Sequence, residues 1–413
     1  GLSLPAIEVE VRTGDTTPSR RQRMLKKPPH ILVTTPESLF LLLTSKKSRE
    51  ILKSVKTVIV DEIHALASNK RGAHLSLSLE RLDHLCETSP LRVGLSATQK
   101  PLEKVAQFLT GSSPYPCSIV DVGHQRDLDL RIEVPGSELS AVCSNEQWAE
   151  IYQNLGNHVK NHRSTLVFVN TRKLAERVTF HLSEILGEHS VASHHGSLSK
   201  EKRHQAEDRL KEGKLKAIVA TASLELGIDI GYVDLVCQVG SPRCIATFLQ
   251  RVGRSGHAVG ATPKGRLFAL TRDELVESMA LIHGIRQGIL DEIEIPGCPL
   301  DILAQQIIAA ICDQVWSVDE LFTLFKGAYP YRTLQMDQFL SVVKLFSKGA
   351  GDKGSFPSYL HYDALGGMIK DRRSARLTAL TNAGAIPEQA LYRVINVEDG
   401  TFVGTVGEDL ALE

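Results

Sequence analysis

Short apolar runs rich in β-branched residues recur through the first two-thirds of the chain: His30–Thr34, Thr57–Val60, Leu91–Leu95, Thr165–Val169, Ala217–Ala220 and Leu235–Val239. Amphipathic stretches of helical length, such as Gly72–Cys86 and Lys200–Glu212, separate them. Strands without polar alternation belong in sheets covered on both faces, so the pattern predicts an α/β protein with parallel sheets. A chain of 413 residues exceeds what one core accommodates, and two to four domains are expected. The stretch around Val122–Pro135 reads as a linker between two α/β units. The pattern changes after Pro296, where Leu300, Leu303, Ala304, Ile307, Ile308 and Ile311 recur at helical spacing. Ser317-Val-Asp-Glu320 resembles a capping box opening a second helix, and a third runs near Gln335–Ser347. A Gly-rich loop, Gly349–Gly354, and a β-like tail come next. Three helices followed by a hairpin predict a winged helix. From about Tyr392 a further β-rich domain begins.

Lys+Arg and Asp+Glu balance at 48 each, which excludes a strongly basic nucleic-acid coat but leaves room for a local charged groove. None of the seven cysteines lies in a C-x-x-C pair, which argues against zinc and for free thiols in a reducing compartment. No apolar run reaches membrane-spanning length. Pro5 and the acidic Glu8, Glu10 and Asp15 break any signal-peptide core. The first residue is not Met, so a fragment or a processed chain is expected. Six basic residues crowd Arg12–Lys27 against the single acid Asp15, and Arg20–Lys27 reads as a solvated helix face.

The chemistry concentrates in a few segments. In Val58-Ile-Val-Asp61-Glu62-Ile63-His64 an apolar strand delivers two adjacent carboxylates to its carboxyl end, where ligands of α/β proteins sit. In a nucleotide hydrolase the first holds Mg2+ and the second orients the attacking water. The alternative is a strand ending in a solvated acidic turn. Gln250-Arg251-Val-Gly253-Arg254-Ser-Gly256-His257 places two guanidinium forks among glycines that let backbone approach an anion; a basic surface loop is the bland alternative. In Thr221-Ala-Ser223-Leu-Glu225-Leu-Gly227-Ile-Asp229 the hydroxyls suit a phosphate backbone, and Asp229 suits a ribose or the arginines. Alone, this segment is an ordinary strand exit, as is Ser96-Ala-Thr98. His194 and His195 lack a third metal ligand at suitable spacing, and Trp148 and Trp316 read as core residues.

In their order, DEIH, SAT, TASLELGID and QRVGRSGH resemble motifs II, III, V and VI of superfamily 2 helicases. Thr13-Gly14-Asp15 resembles motif Ib, Thr34-Thr35-Pro-Glu-Ser-Leu39 motif Ic, and Val169-Asn170-Thr171-Arg172 motif IV. His194-His195-Gly196-Ser-Leu198 resembles the element between IV and V. Lys70-Arg-Gly-Ala-His74-Leu after DEIHALA, the long TTPESLFLLLTS, and RSGH point to the Lhr (large helicase-related) type; a Ski2-like RNA helicase is the runner-up. Many relatives carry Arg where this chain has His257, so Arg254 is left as the principal arginine finger.

The resemblance implies two RecA-like parallel-sheet lobes, the first incomplete (residues 1–123 and 130–295), a winged helix (296–390) and the start of a β-rich domain (391–413). It implies a catalytic set of Asp61, Glu62, His64, Gln250, Arg251 and Arg254. ATP would be held by Asp61, Glu62, Gly227, Asp229, Arg251 and Arg254 between the lobes, with Mg2+ on Asp61 and Glu62. A nucleic-acid strand would lie on Thr13, Gly14, Thr34, Thr35, Asn170, Thr171, Arg172, His195, Gly196, Thr221 and Ser223. His64 would couple nucleotide and strand, and the winged helix would help to hold the strand. Implied partners are single-stranded DNA and DNA or RNA–DNA duplexes, with 3′-to-5′ movement, a role in DNA repair and a cytoplasmic, nucleoid-associated location. The phosphate loop G-x-x-x-x-G-K-[ST] occurs nowhere in these residues. The chain is therefore expected to be truncated before that loop and inactive as an ATPase by itself. A non-catalytic nucleic-acid-binding module is the reading from a different class.

Overall fold

The computed structural model describes residues 6–97, 100–113, 116–121, 127–225, 230–256, 262–348, 357–386, 391–395 and 402–407. The chain forms two compact units. One comprises Gly1–Ser96, Pro101–Ile119 and Ile293–Glu413; the other comprises Ala97–Lys100 and Val120–Glu292.

In the first unit, strands β1 (Val9–Arg12) and β2 (Ile31–Thr34) pair in parallel, as do β3 (Thr57–Val60) and β4 (Leu91–Gly94). The two pairs are not hydrogen-bonded to each other among the described residues. One face of these strands packs on helices Pro36–Thr44, Lys70–Leu85 and Leu102–Thr110 through Leu39, Leu43, Val60, Leu79 and Phe108. On the other face Val9, Val11, Ile31, Val33, Ile59 and Leu91 are each more than two-fifths exposed. Parallel sheets are ordinarily covered on both faces, whereas among the described residues one apolar face of these strand pairs is exposed.

The second unit is built on a six-stranded parallel sheet in the order β5-β10-β9-β6-β8-β7. Its strands are β5 (Asp129–Glu133), β6 (Thr165–Val169), β7 (Val191–His194), β8 (Ala217–Ala220), β9 (Leu235–Val239) and β10 (Lys264–Phe268). Every residue of β6, β8 and β9 is buried, with one apolar cluster on each face of the sheet. The expected linker Val122–Pro135 instead contributes edge strand β5. Arg266 of β10, buried, donates to the Asp129 carboxylate at 2.9 Å, which accounts for charge inside segments that read poorly as strands.

The winged helix consists of helices Leu300–Ile311, Val318–Lys326 and Met336–Lys348 with a small antiparallel sheet. That sheet has the order β11 (Trp316–Ser317), β13 (Met368–Asp371), β12 (Leu360–Asp363). Strands β14 (Leu391–Ile395) and β15 (Phe402–Gly407) form a separate antiparallel pair. Residues 1–123 and 296–390, expected as separate domains, share a compact unit for an identifiable reason. Helix Lys70–Leu85 is buried without interruption from Gly72 to Leu82, so it has no solvent face along that stretch. Ala73 and Leu77 join the winged-helix core of Ile302, Leu303, Leu321 and Phe325. Arg81 donates to Gln306 Oε1 at 2.9 Å, and Gln306 Nε2 donates to the His74 carbonyl at 3.1 Å and to Ser78 Oγ at 2.9 Å. Lys70 pairs with Asp301 at 3.0 Å. Gly72 is required sterically: a Cβ there would lie 1.9 Å from the Leu66 carbonyl oxygen. The Lys70-Arg-Gly-Ala-His74 segment is thus the seam along which the first-lobe helices meet the winged helix.

His74 is fully buried against the Phe40 ring, and neither ring nitrogen has a hydrogen-bond partner among the described residues. Burial pushes its pKa down from 6.5 to about 4, so the ring is neutral in the folded protein. The unfolded chain binds a proton here that the folded one does not, over that whole interval. The stability this neutral ring allows is complete above pH 6.5 and falls as pH drops toward 4, by roughly 3 kcal/mol in all. We expect acid unfolding of this unit, followed by Trp316 emission in a Trp148→Phe background, to lose most of its slope in that window on His74→Leu substitution. An unchanged pH profile would show that His74 does not set it.

Candidate nucleotide and strand-binding site

In the first unit the acidic pair leaves the carboxyl end of β3. Glu62 has φ 49° and ψ 41°, a left-handed backbone that is uncommon for a residue with a Cβ. Strain of this kind persists only where the surroundings enforce it, and it collects at functional positions. The Glu62 N–H donates to Asp61 Oδ1 at 2.9 Å, and the Asp61 side chain is exposed. Immediately after, His64 is buried, with Nε2 3.5 Å from Glu62 Oε2 and Nδ1 3.3 Å from Ser96 Oγ. Burial lowers its pKa, against the opposing pull of Glu62 and Asp61, so the ring is a neutral link between the second carboxylate and the Ser96 hydroxyl.

β1 and β2 end level with one another, Arg12 opposite Thr34, so Thr13-Gly14 and Thr35 emerge side by side at one sheet edge. Arg21 donates to the carbonyls of Thr13 and Gly14 at 3.3 and 2.8 Å and fixes that turn. Thr34 Oγ1 donates to the Arg12 carbonyl, and Thr35 caps helix Pro36–Thr44. The basic residues nearby are partly neutralised: Arg20 and Arg23 pair with Glu10, and Lys27 with Glu8.

In the second unit the sheet register brings three motifs together. Phe168 of β6 and His194 of β7 both lie opposite Ala220 of β8. Asn170-Thr171, His195-Gly196 and Thr221-Ser223 therefore leave three neighbouring strands at one level of the carboxyl edge, where α/β ligands bind. Asn170 Nδ2 donates to the Ser241 carbonyl at 2.8 Å, and Thr171 caps helix Arg172–Leu186. Arg172 donates to Ser197 Oγ at 2.9 Å beside the exposed Gly196. His195 hydrogen-bonds Glu176, and His194 is held between Ser223 Oγ at 2.8 Å and Glu207 at 2.9 Å. These contacts explain the paired histidines as braces of the edge.

The two arginines of QRVGRSGH differ. Arg251 is buried, its Nε donates to Glu225 at 2.8 Å, its Nη1 donates to Gln238, and its guanidinium lies over the Phe168 ring. Its guanidinium is thus engaged as a brace within the second unit. Arg254, half-buried, has no hydrogen-bond or ion-pair partner on its guanidinium among the described residues, and its Nε is shielded from water. Gln250 is also half-buried. Gly227, Asp229 and His257 lie outside the described residues. Gln238, which holds Arg251, was not singled out by the sequence; Glu225, which also holds Arg251, and Ser96, which meets His64, lay within quoted motifs without a role of their own.

This fold and these strand-end residues are similar to those of DEAD/DEAH box helicases. Residues 3–106 match the DEAD/DEAH box helicase family, 146–259 the helicase conserved C-terminal domain, and 283–413 the winged helix domain of large helicase-related protein. Within that class the chain is homologous to Lhr helicases over its whole length. It is 44% identical to the ATP-dependent helicase Lhr-Core of Methanocaldococcus jannaschii across 100% of this chain and 48% of that protein. It is 40% identical to the Lhr helicase/probable uracil glycosylase of Mycolicibacterium smegmatis, across 100% of this chain and 30% of that protein. The structure of Mycobacterium smegmatis helicase Lhr bound to ssDNA and AMP-PNP superposes with a TM-score of 0.87 at 44% identity, covering 95% of this chain and 51% of that one. The chain thus spans about half the length, or less, of the relatives it matches.

Proposed function

We propose that these residues serve an ATP-driven translocase that moves 3′ to 5′ along single-stranded DNA and opens DNA or RNA–DNA duplexes, with a place in DNA repair. The observation that carries this reading is the shared level of Asn170, His195 and Thr221 at one carboxyl edge. It offers a row of hydroxyl, amide and backbone groups suited to successive phosphates and indifferent to base sequence. The residues also fit a magnesium nucleotide: the exposed Asp61 carboxylate is a hard oxygen ligand, and Mg2+ takes its remaining ligands from phosphates and water. Bound there, Mg2+ would neutralise charge on the transferred phosphoryl group. Glu62 orients and deprotonates the attacking water. His64 passes the state of that carboxylate to Ser96. Arg254 meets the charge that develops on the phosphoryl group, while Arg251 keeps its loop in place.

The phosphate loop is absent from the 413 residues, which favours strand binding without turnover for this chain by itself. The purified chain is expected to bind an oligothymidylate with strong salt dependence and to hydrolyse ATP no faster than the buffer blank. A robust strand-stimulated turnover by this chain would contradict that expectation. Loss of strand affinity on Thr221→Ala would support the edge as the binding site. Comparing DNA and RNA loading strands with the longer protein separates the DNA reading from a Ski2-like RNA helicase.

A further inference from the structure

Three hydrogen bonds meet around His194, and a neutral ring leaves them one hydrogen short. His194 closes strand β7 with its side chain fully buried. Its Nε2 lies 2.9 Å from Glu207 Oε1 on helix Lys200–Lys211. Its Nδ1 lies 2.8 Å from Ser223 Oγ, in the turn that follows β8. The same Ser223 hydroxyl donates to the His194 carbonyl at 2.8 Å. That carbonyl also accepts the Thr221 N–H at 3.3 Å, so one residue of β7 holds both ends of the Thr221-to-Ser223 turn.

Glu207 accepts at both of its contacts. Burial raises its pKa, but the hydrogen bonds from His194 and from His204 Nδ1, the latter at 3.2 Å, outweigh burial and hold the carboxyl below its usual range. An ionised carboxylate has no hydrogen to give, so Nε2 carries one. A carbonyl oxygen has none either, so the contact between Ser223 and the His194 carbonyl takes the one hydroxyl hydrogen. The Nδ1 contact is then filled from the ring. Three contacts need three hydrogens: Ser223 supplies one, and the ring supplies the other two only as an imidazolium. The other charged groups near the ring are engaged: His204 on Glu207, Glu176 of helix Arg172–Leu186 with His195 and Ser193, and Glu225 with Arg251. Strand β8 is Ala-Ile-Val-Ala and brings no charge.

We propose that His194 is a positioning residue for the strand-binding edge: an imidazolium clamped between Glu207 and Ser223, it sets the turn that presents Thr221. The inference rests on the reading of that edge as the strand site. Ser223, expected on the strand itself, acts through this contact instead, since its hydrogen and its acceptor are both turned inward. When the ring loses a proton, the single Ser223 hydrogen serves either Nδ1 or the carbonyl, and the other contact opens. Strand affinity is therefore full while the ring holds both protons and falls as pH rises through its titration.

The test is oligothymidylate affinity of the 413-residue chain at fixed salt between about pH 6 and 8, the range in which imidazoles titrate. A His204→Gln background keeps the other imidazole on Glu207 from titrating. This parent should lose about five- to tenfold in affinity across the range, the worth of one hydrogen bond. Glu207→Gln should cut that fall to less than about twofold, because its amide gives Nε2 the missing hydrogen and a neutral ring then fills every contact. Ser223→Ala should bind more weakly at the acid end and also lose the pH dependence, since the ring then needs a single proton. Nitrogen-15 NMR of labelled histidines, with the ring assigned by its loss in His194→Asn, should show two ring protons at the acid end in the parent and one in Glu207→Gln. An equally steep fall in Glu207→Gln would overturn the relay, as would a ring with one proton throughout in the parent. Ser223→Ala that lost affinity but kept the slope would make Ser223 a strand contact and overturn its assignment here. No strand binding by the parent at any pH would overturn the strand reading of the edge and the positioning role with it, while the ring signals would still decide the proton count.

Discussion

Replacing Glu62 by Gln in the longer protein should leave ATP and strand binding in place and cut ATP turnover by roughly two to four orders of magnitude. The amide keeps the size of the carboxylate and its ability to accept from water, but it takes no proton from the nucleophile. The local geometry makes the substitution informative. Glu62 is held in a left-handed backbone by the Asp61 carboxylate, which accepts its N–H, and that contact does not involve the Glu62 side chain. His64 lies 3.5 Å from the carboxylate as a buried, neutral ring, so the amide does not strand a charge beside it. The loss should therefore appear in kcat with little change in the nucleotide dissociation constant, the signature of an interaction made in the transition state. A variant that turned over normally would remove Glu62 from the role of base and leave Asp61 as the only chemical contribution of this pair.

The sequence announced the second sheet and the acidic strand end clearly because each is a strong local pattern. β6, β8 and β9 are unbroken apolar runs, and burial of every residue in them is what such a run demands. β5 and β10 were hidden by their charge. Arg266 reads as a surface residue until Asp129, far away in sequence, is placed beside it. The seam between helix Lys70–Leu85 and the winged helix was hidden for the same reason. Arg81, Gln306 and His74 are polar residues whose burial depends on partners hundreds of positions away or on a neighbour such as Phe40. The winged helix itself was legible because its helices are amphipathic and its second is capped locally by Ser317. In the site, the motif resemblance set Arg254 apart as the principal finger but gave Arg251 a catalytic and nucleotide-binding role beside it. The placement of Glu225 and Gln238 shows Arg251 engaged as a brace, whereas the Arg254 guanidinium has no partner among the described residues.

That distinction sets the second large effect. Arg254→Ala in the longer protein should lower strand-stimulated ATP turnover about a thousandfold or more, the scale of a lost arginine finger. Single-strand affinity should change less than about twofold, because the proposed contact forms as charge moves onto the phosphoryl group and is weak beforehand. Arg254→Lys should restore only part of the rate, since an ammonium lacks the planar fork that spans two phosphate oxygens. Arg251→Ala should behave differently. It strands the Glu225 carboxylate and exposes a gap against Phe168, so it should lower thermal stability along with activity.

The measurement that bears most directly on the helicase reading is the ratio of these two quantities for Arg254→Ala: ATP turnover at saturating single strand, set against strand affinity titrated at fixed salt. The proposed mechanism predicts that turnover collapses while affinity holds. Parallel loss of both would make Arg254 a strand contact or a structural support, and an unchanged turnover would contradict the assignment of this loop to ATP hydrolysis.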